Sequence, residues 1–175
     1  MGVTVYDFSR IVPIGEAKNL SNLLPTPREY HKFLLRMYNT YKKIKKDVPN
    51  ARFGTKDPLW MLLYQELGLL KPLKNNGLIY GGCSIGINGL CIDVNGDVYS
   101  CRRLGIPLGN IKSSTLYDLF INSQEMNHER EYHKIEGCKD CSLISICRGC
   151  RAIAYHVNKS YFAKDPSCWK IENEK

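Results

Sequence analysis

The stretch Cys138-Lys139-Asp140-Cys141-Ser142-Leu143-Ile144-Ser145-Ile146-Cys147-Arg148-Gly149-Cys150 sets four cysteines in a C-x2-C-x5-C-x2-C pattern. A two-residue gap lets both thiolates of a pair face one centre while backbone amides turn toward the sulfurs. That geometry serves zinc and iron–sulfur clusters alike. The distance between the pairs helps to separate them. Zinc sites made of two cysteine pairs usually part the pairs by roughly a dozen residues or more, and here five intervene. A cubane cluster is larger than one ion and accepts three ligands from a short loop plus a distant fourth.

Working outward, four more cysteines flank the stretch: Cys83, Cys91 and Cys101 before it and Cys168 after it. Eight cysteines divide into two sets of four without remainder, which points to two [4Fe–4S] clusters with all eight as metal ligands. Zinc is the rival metal. A disulfide framework is disfavoured, because the opening MGVTVYDFSR lacks a basic region followed by a long apolar run. The expected compartment is therefore the reducing cytoplasm, where close cysteine pairs bind metal or do redox work. No run of 18 apolar residues occurs, so no membrane association is expected. At 43% hydrophobic residues the chain can build a sizeable core without help from its cysteines. The net charge of +8 counts those cysteines as neutral, and metal-bound thiolates would cancel part of it. The densest basic run, Lys42-Lys43-Ile44-Lys45-Lys46, reads as a solvated helix end, where cations suit the helix dipole. Nucleic acid is not an expected partner.

The composition changes near residue 80, dividing the chain into residues 1–78 and 79–175. In the first part, Val3 to Phe8 reads as a buried strand and Ala51 to Gly54 as a short one. Between them Thr26-Pro27-Arg28-Glu29 is a capping box with proline at the first helical position. Tyr30, Leu34, Met37, Tyr41 and Ile44 then recur at helical spacing. Asp57-Pro58 opens a second helix with Trp60, Leu63, Tyr64 and Leu67 inward, and Gly68 stops it. In the second part, Leu90 to Val94 and Asp97 to Ser100 flank the hairpin turn Asn95-Gly96. Ser114-Thr115 starts a short helix through Leu116, Leu119 and Phe120, and another helical stretch covers Ala152 to Val157. The expected class is α+β: a partial α/β layer, then a small β-hairpin and a cysteine-rich region.

The segment from Cys83 to Cys168 resembles the SPASM domain, the auxiliary-cluster domain of many radical S-adenosylmethionine (SAM) enzymes. The family pattern has a cysteine, then a glycine, four residues and a cysteine, then C-x2-C-x5-C-x3-C and a last cysteine. Here Cys83 precedes Gly96, four residues lead to Cys101, and Cys138, Cys141, Cys147, Cys150 and Cys168 follow. The gap Cys147-Arg148-Gly149-Cys150 is one residue shorter than the family's. Gly109-Asn110-Ile111 also looks like the family. In two-cluster members the chain interleaves. The resemblance thus implies a first auxiliary cluster on Cys83, Cys91, Cys101 and Cys150, and a second on Cys138, Cys141, Cys147 and Cys168.

Residues 1–78 resemble the last strands and helices of a radical SAM barrel, at Arg10-Ile11-Val12-Pro13-Ile14-Gly15 and Thr55-Lys56-Asp57-Pro58. The family's C-x3-C-x2-C loop, which binds the cluster that cleaves SAM, does not occur in this sequence. The resemblance implies that this chain alone does not generate the radical. SAM would act only in a full-length enzyme or with a partner supplying the missing barrel portion. A partial parallel barrel exposes strand edges, so self-association of the isolated chain is expected.

The implied function is the auxiliary-cluster portion of an enzyme acting on a peptide or small molecule. The rivals are a stand-alone iron–sulfur module that docks on a partner and a zinc-stabilised nucleic-acid binder. Arg102 follows Cys101 where the sulfatase-maturing branch has an aspartate base, and a permanently protonated arginine does not fill that role. Arg102 and Arg103 instead suit an acidic substrate, cluster tuning or plain solvent exposure. His31, His128, His133 and His156 form no ligand-like pair; His31 is expected on an exposed helix face and His156 near the second cluster. Asp93 and Asp97 read as turn formers. Tyr99, Tyr155, Tyr161 and Trp169 read as packing beside cluster ligands. No catalytic residue is identified.

Overall fold

The computed structural model describes residues 3–71 and 77–170. It is an α+β fold with two small sheets. Strand β1 (Val5–Tyr6) pairs in parallel with β2 (Arg52–Phe53), in register Val5 to Arg52 and Tyr6 to Phe53. Helix α1 (Pro27–Asp47) connects them. Its start is the expected capping box: the Thr26 side chain accepts from the Glu29 amide, and Glu29 reaches back to the Thr26 amide. The apolar stripe enters the core at Tyr30 and Leu34 and leaves it by Ile44. The lysines of residues 42–46 are at or near the exposed end of the helix.

Helix α2 (Trp60–Glu66) begins just after Asp57-Pro58 and buries Trp60, Leu62 and Leu63. Leu67 does not point inward as expected; it caps the helix and is exposed, because the helix closes at Glu66. The β1 strand also differs from expectation. It is two residues long and exposed, since β2 is its one strand partner among the described residues and no layer covers its other side.

The second sheet contains β3 (Cys91–Ile92), β4 (Asp97–Tyr99) and β5 (Pro107–Asn110), all antiparallel in that order. The Asn95-Gly96 turn joins the first two, with Gly96 at φ +91°. The Asp93 carboxylate accepts from the amides of Asn95 (2.8 Å) and Asp97 (3.0 Å), as a turn former does. Strand β5 has no counterpart in the sequence reading, because Pro-Leu-Gly-Asn offers neither alternation nor β-branched residues. Helices α3 (Leu116–Ile121, capped by Thr115), α4 (Gln124–Glu129) and α5 (Arg151–Asn158) follow.

Two cores hold the molecule. The larger packs Tyr30, Leu34, Leu59, Trp60, Leu62 and Leu63 against Leu143, Cys147 and Trp169, so residues from both predicted halves share it. The smaller gathers Val12, Ile85, Leu104, Cys150, Ala152, Ile153 and Tyr161, with Cys83 and Cys101 against it. No described helix is long and apolar enough to cross a membrane.

A candidate iron–sulfur site in two halves

The eight cysteines are all free thiols and fall into two places. Hairpin β3–β4 sets Cys91 opposite Tyr99, and the chain reaches Cys101 two residues later. Cys91, Cys101 and Cys150 line a cavity of about 510 Å³ with Arg102, Arg103 and Ser84. Cys83 does not line that cavity, but it packs on the same small core as Cys101 and Cys150. The second place is a small cavity of about 20 Å³ that all of Cys138, Cys141, Cys147 and Cys168 line. Among the described residues no three His, Cys, Asp or Glu side chains lie close enough to share a single ion.

The electrostatics follow the same division. Burial pushes the Cys138 thiol up to about 11, with Arg151 opposing and Cys141 and Cys168 adding to it. Burial also raises Cys147, reinforced by Cys168 and Cys138. Cys150 is pushed up to about 12 by burial and then by Cys83, a member of its own implied set. As bare thiols these groups stay protonated at neutral pH. A metal centre that takes them as thiolates supplies the missing positive charge and releases protons on binding.

Two arginines and an aspartate hold the halves together. Arg148 is buried, and it has a left-handed backbone (φ 62°). Its guanidinium donates to the carbonyls of Ile144 (2.7 Å), Gly81 (2.7 Å) and Cys83 (2.6 Å) and lies over the Tyr132 ring. The Cys83 amide returns a hydrogen bond to the Cys147 carbonyl at 3.2 Å. Arg148 therefore ties a cysteine of the first set to the loop that carries the second. Gly82 faces that loop so closely that a Cβ there would collide with the Cys147 carbonyl oxygen.

Arg10 is the other tie. Its guanidinium, 7% exposed, contacts Asp57 at 2.7 and 3.2 Å and Asp165 at 2.6 and 2.8 Å. Asp165 also accepts from the amides of Cys150 (2.7 Å) and Ser167 (3.0 Å). Burial disfavours a charged Asp165, but Arg10 and the two amides outweigh it and hold the carboxyl below its usual range. One carboxylate thus links the N-terminal layer to Cys150 of the first set and to the turn before Cys168 of the second.

Sequence reasoning missed three of these roles. Arg148 and Arg10 carry no readable signal, since apart from the Ile144 carbonyl their partners are carbonyls or carboxylates far along the chain. Glu129 is buried on α4 with Ser100 donating to it at 2.7 Å, and burial lifts its carboxyl to about 7. Of the histidines, His31 is half-buried, meets Glu66 at 2.7 Å and lies against Trp169. His156, expected near the second set, instead contacts the Arg103 carbonyl at 3.0 Å on the side of the first. It lies near the C-terminal end of α5. His128 meets the Tyr161 hydroxyl at 2.6 Å, and Tyr161 and Trp169 are buried in the two cores.

Residues 83–151 match the SPASM family, an iron–sulfur cluster-binding domain. The span contains every cysteine except Cys168. Three curated relatives named AdoMet-dependent heme synthase are similar to the chain over 96% of its length. They are 26% identical in Nitratidesulfovibrio vulgaris, 25% in Oleidesulfovibrio alaskensis and 24% in Methanosarcina barkeri, and the chain covers 47%, 44% and 48% of them. The chain thus spans about half the length of these relatives. No solved structure matches it. Cysteine pattern, geometry and family match together show that residues 83–151 are similar to the SPASM iron–sulfur cluster-binding domain.

Proposed function

We propose that this chain is the auxiliary-cluster portion of an AdoMet-dependent enzyme, holding two [4Fe–4S] clusters. The first uses Cys83, Cys91, Cys101 and Cys150, and the second Cys138, Cys141, Cys147 and Cys168. The observation that carries the reading is the separation of the thiols: Cys138, Cys141, Cys147 and Cys168 line one cavity, Cys91, Cys101 and Cys150 line another, and Cys83 packs on the same small core as Cys101 and Cys150. The donor set suits iron–sulfur chemistry: four buried or half-buried thiols per site. Cys138, Cys141 and Cys168 are half-buried, so the second site reaches solvent at its rim. When bound, such clusters supply one-electron transfer or a Lewis-acidic iron.

The parallel β1–α1–β2 unit supports the reading that residues 1–78 are the end of a radical SAM barrel. Val3, Val5 and Tyr6 are exposed at its edge, where further strands of a fuller sheet would pair. The sequence has no C-x3-C-x2-C loop, so SAM cleavage falls to a part of the enzyme outside these residues. The similarity to heme synthases favours a small-molecule substrate, a haem precursor, over a peptide. Arg102 and Arg103 line the larger cavity beside Cys101, and the carboxylates nearest them there, Asp7 and Asp57, already pair with Lys56 and Arg10. The two arginines suit the carboxylates of such a substrate.

Anaerobic reconstitution with iron and sulfide counting tests the reading. Two four-iron clusters require about eight iron and eight sulfide per chain. Colourless protein that takes up zinc in preference would overturn it.

A further inference from the structure

Arg151 is a buried cation left half-satisfied by the protein. It is 4% exposed, and Nη1 donates to the carbonyls of Tyr161 (2.9 Å) and Ala163 (2.7 Å). Its Nε and Nη2 are fully buried and have no partner. A buried guanidinium without acceptors is costly, because its N–H groups lose their hydrogen bonds to water and gain none in the protein. The nearest carboxylate is committed elsewhere: Asp165 takes two bonds from Arg10, one from the Cys150 amide and one from the Ser167 amide. Nη2 lies beside Gly149, where a Cβ would stand 2.9 Å from it, and Gly149 lines the second cavity with Cys138, Cys147 and Cys168.

We propose that Arg151 donates Nε–H and Nη2–H hydrogen bonds to sulfur of the cluster held by Cys138, Cys141, Cys147 and Cys168, and so raises that cluster's reduction potential. The inference rests on the two-cluster reading. Sulfide and thiolate sulfur are the acceptors a buried guanidinium lacks here. A fixed positive charge and hydrogen bonds to sulfur both stabilise the reduced cluster. Arg151 also follows Cys150 directly on the first turn of α5, so the residue that sets the second cluster's potential is anchored by a ligand of the first. It is a positioning and tuning residue and takes no part in bond making.

The first test uses the whole chain without mutation. With arginine labelled by 15N at the guanidinium, electron–nuclear double resonance on the reduced, reconstituted protein should show a 15N coupling and exchangeable protons on one of two cluster signals. The Arg151→Met variant should lose that coupling while Arg148→Met keeps it. An Arg151→Met protein that retains its iron should show a potential lower for one cluster by about 59 mV, the one-electron equivalent of a tenfold change. Arg151→Lys should recover part of the shift. If two clusters form and the native protein shows no guanidinium coupling, or Arg151→Met leaves both potentials in place, the inference is wrong. If two clusters do not form at all, the two-cluster reading fails first.

Discussion

Replacing Arg10 by methionine removes the centre of the Arg10–Asp57–Asp165 triad and leaves two buried carboxylates facing each other without their cation. Four contacts are lost, at 2.7, 3.2, 2.6 and 2.8 Å. Breaking a buried pair by removing one partner costs about 3–5 kcal/mol. Asp165 keeps the Cys150 and Ser167 amides and Asp57 keeps the Leu59 amide, which places the expected loss near the lower end, about 3 kcal/mol. At a urea slope of about 2 kcal/mol/M this moves the unfolding midpoint down by about 1.5 M. The assay is urea unfolding followed both by circular dichroism and by the visible absorbance of the reconstituted clusters. The cost should shrink on acidification. In the native chain Asp165 is held below its usual range, so it contributes stability above its unfolded value near 3.9 that is lost as pH falls through the folded value. In the variant its carboxyl has lost the opposing cation and burial raises it, so protonation relieves the defect. The gap between variant and native protein should therefore narrow from pH 7 to pH 5.5. A loss under about 0.5 kcal/mol at pH 7, or a gap that widens on acidification, would refute the triad's assigned role.

Glu129 gives the opposite pH signature. Burial lifts its carboxyl from 4.5 to about 7, so the folded state holds a proton that the unfolded state gives up, and stability falls as pH rises across that window. Glu129→Gln should flatten this slope by up to about 3 kcal/mol between pH 4.5 and 7, read from unfolding midpoints; an unchanged slope would show that Glu129 titrates normally. Gly149→Ala puts a Cβ 2.6 Å from the Asp165 Cβ at φ +59°, and should cost at least about 1–2 kcal/mol together with reduced iron content. An alanine variant of native stability and iron content would remove Gly149 from the account. The apolar groove between β1 and α1, lined by Val5, Tyr6, Met37, Tyr41 and Ile44, predicts self-association of the isolated chain. Val5→Lys should lower the sedimentation-derived association constant at least tenfold; equal association in both proteins would place the contact elsewhere.

The parts of the fold legible in the sequence were those with local causes. The Thr26 capping box, the Asn95-Gly96 hairpin and the Thr115 cap each rest on residues within a few positions of one another, and the structure has all three. Strand β5 was illegible because its pairing comes from β4 and from Leu119 packing under Gly109, while its own Pro-Leu-Gly-Asn has no strand character. The exposure of Val5 and Tyr6 is not legible for a similar reason: apolar residues report a preference for burial and carry no information about whether a covering layer is present. At the candidate site the cysteines were legible from spacing. The arginines that surround them were not, since Arg10, Arg148 and Arg151 bond to groups up to 155 residues away.

The interleaving of the two cysteine sets is tested most directly by three single variants, Cys83→Ser, Cys138→Ser and Cys150→Ser, each reconstituted and compared by electron paramagnetic resonance. Cys150 lies three residues from Cys147 in the chain but packs with Cys83 and Cys101. The account predicts that Cys150→Ser perturbs the same cluster signal as Cys83→Ser and leaves the signal altered in Cys138→Ser intact. A Cys150→Ser protein that alters the Cys138 signal and spares the Cys83 signal would contradict it.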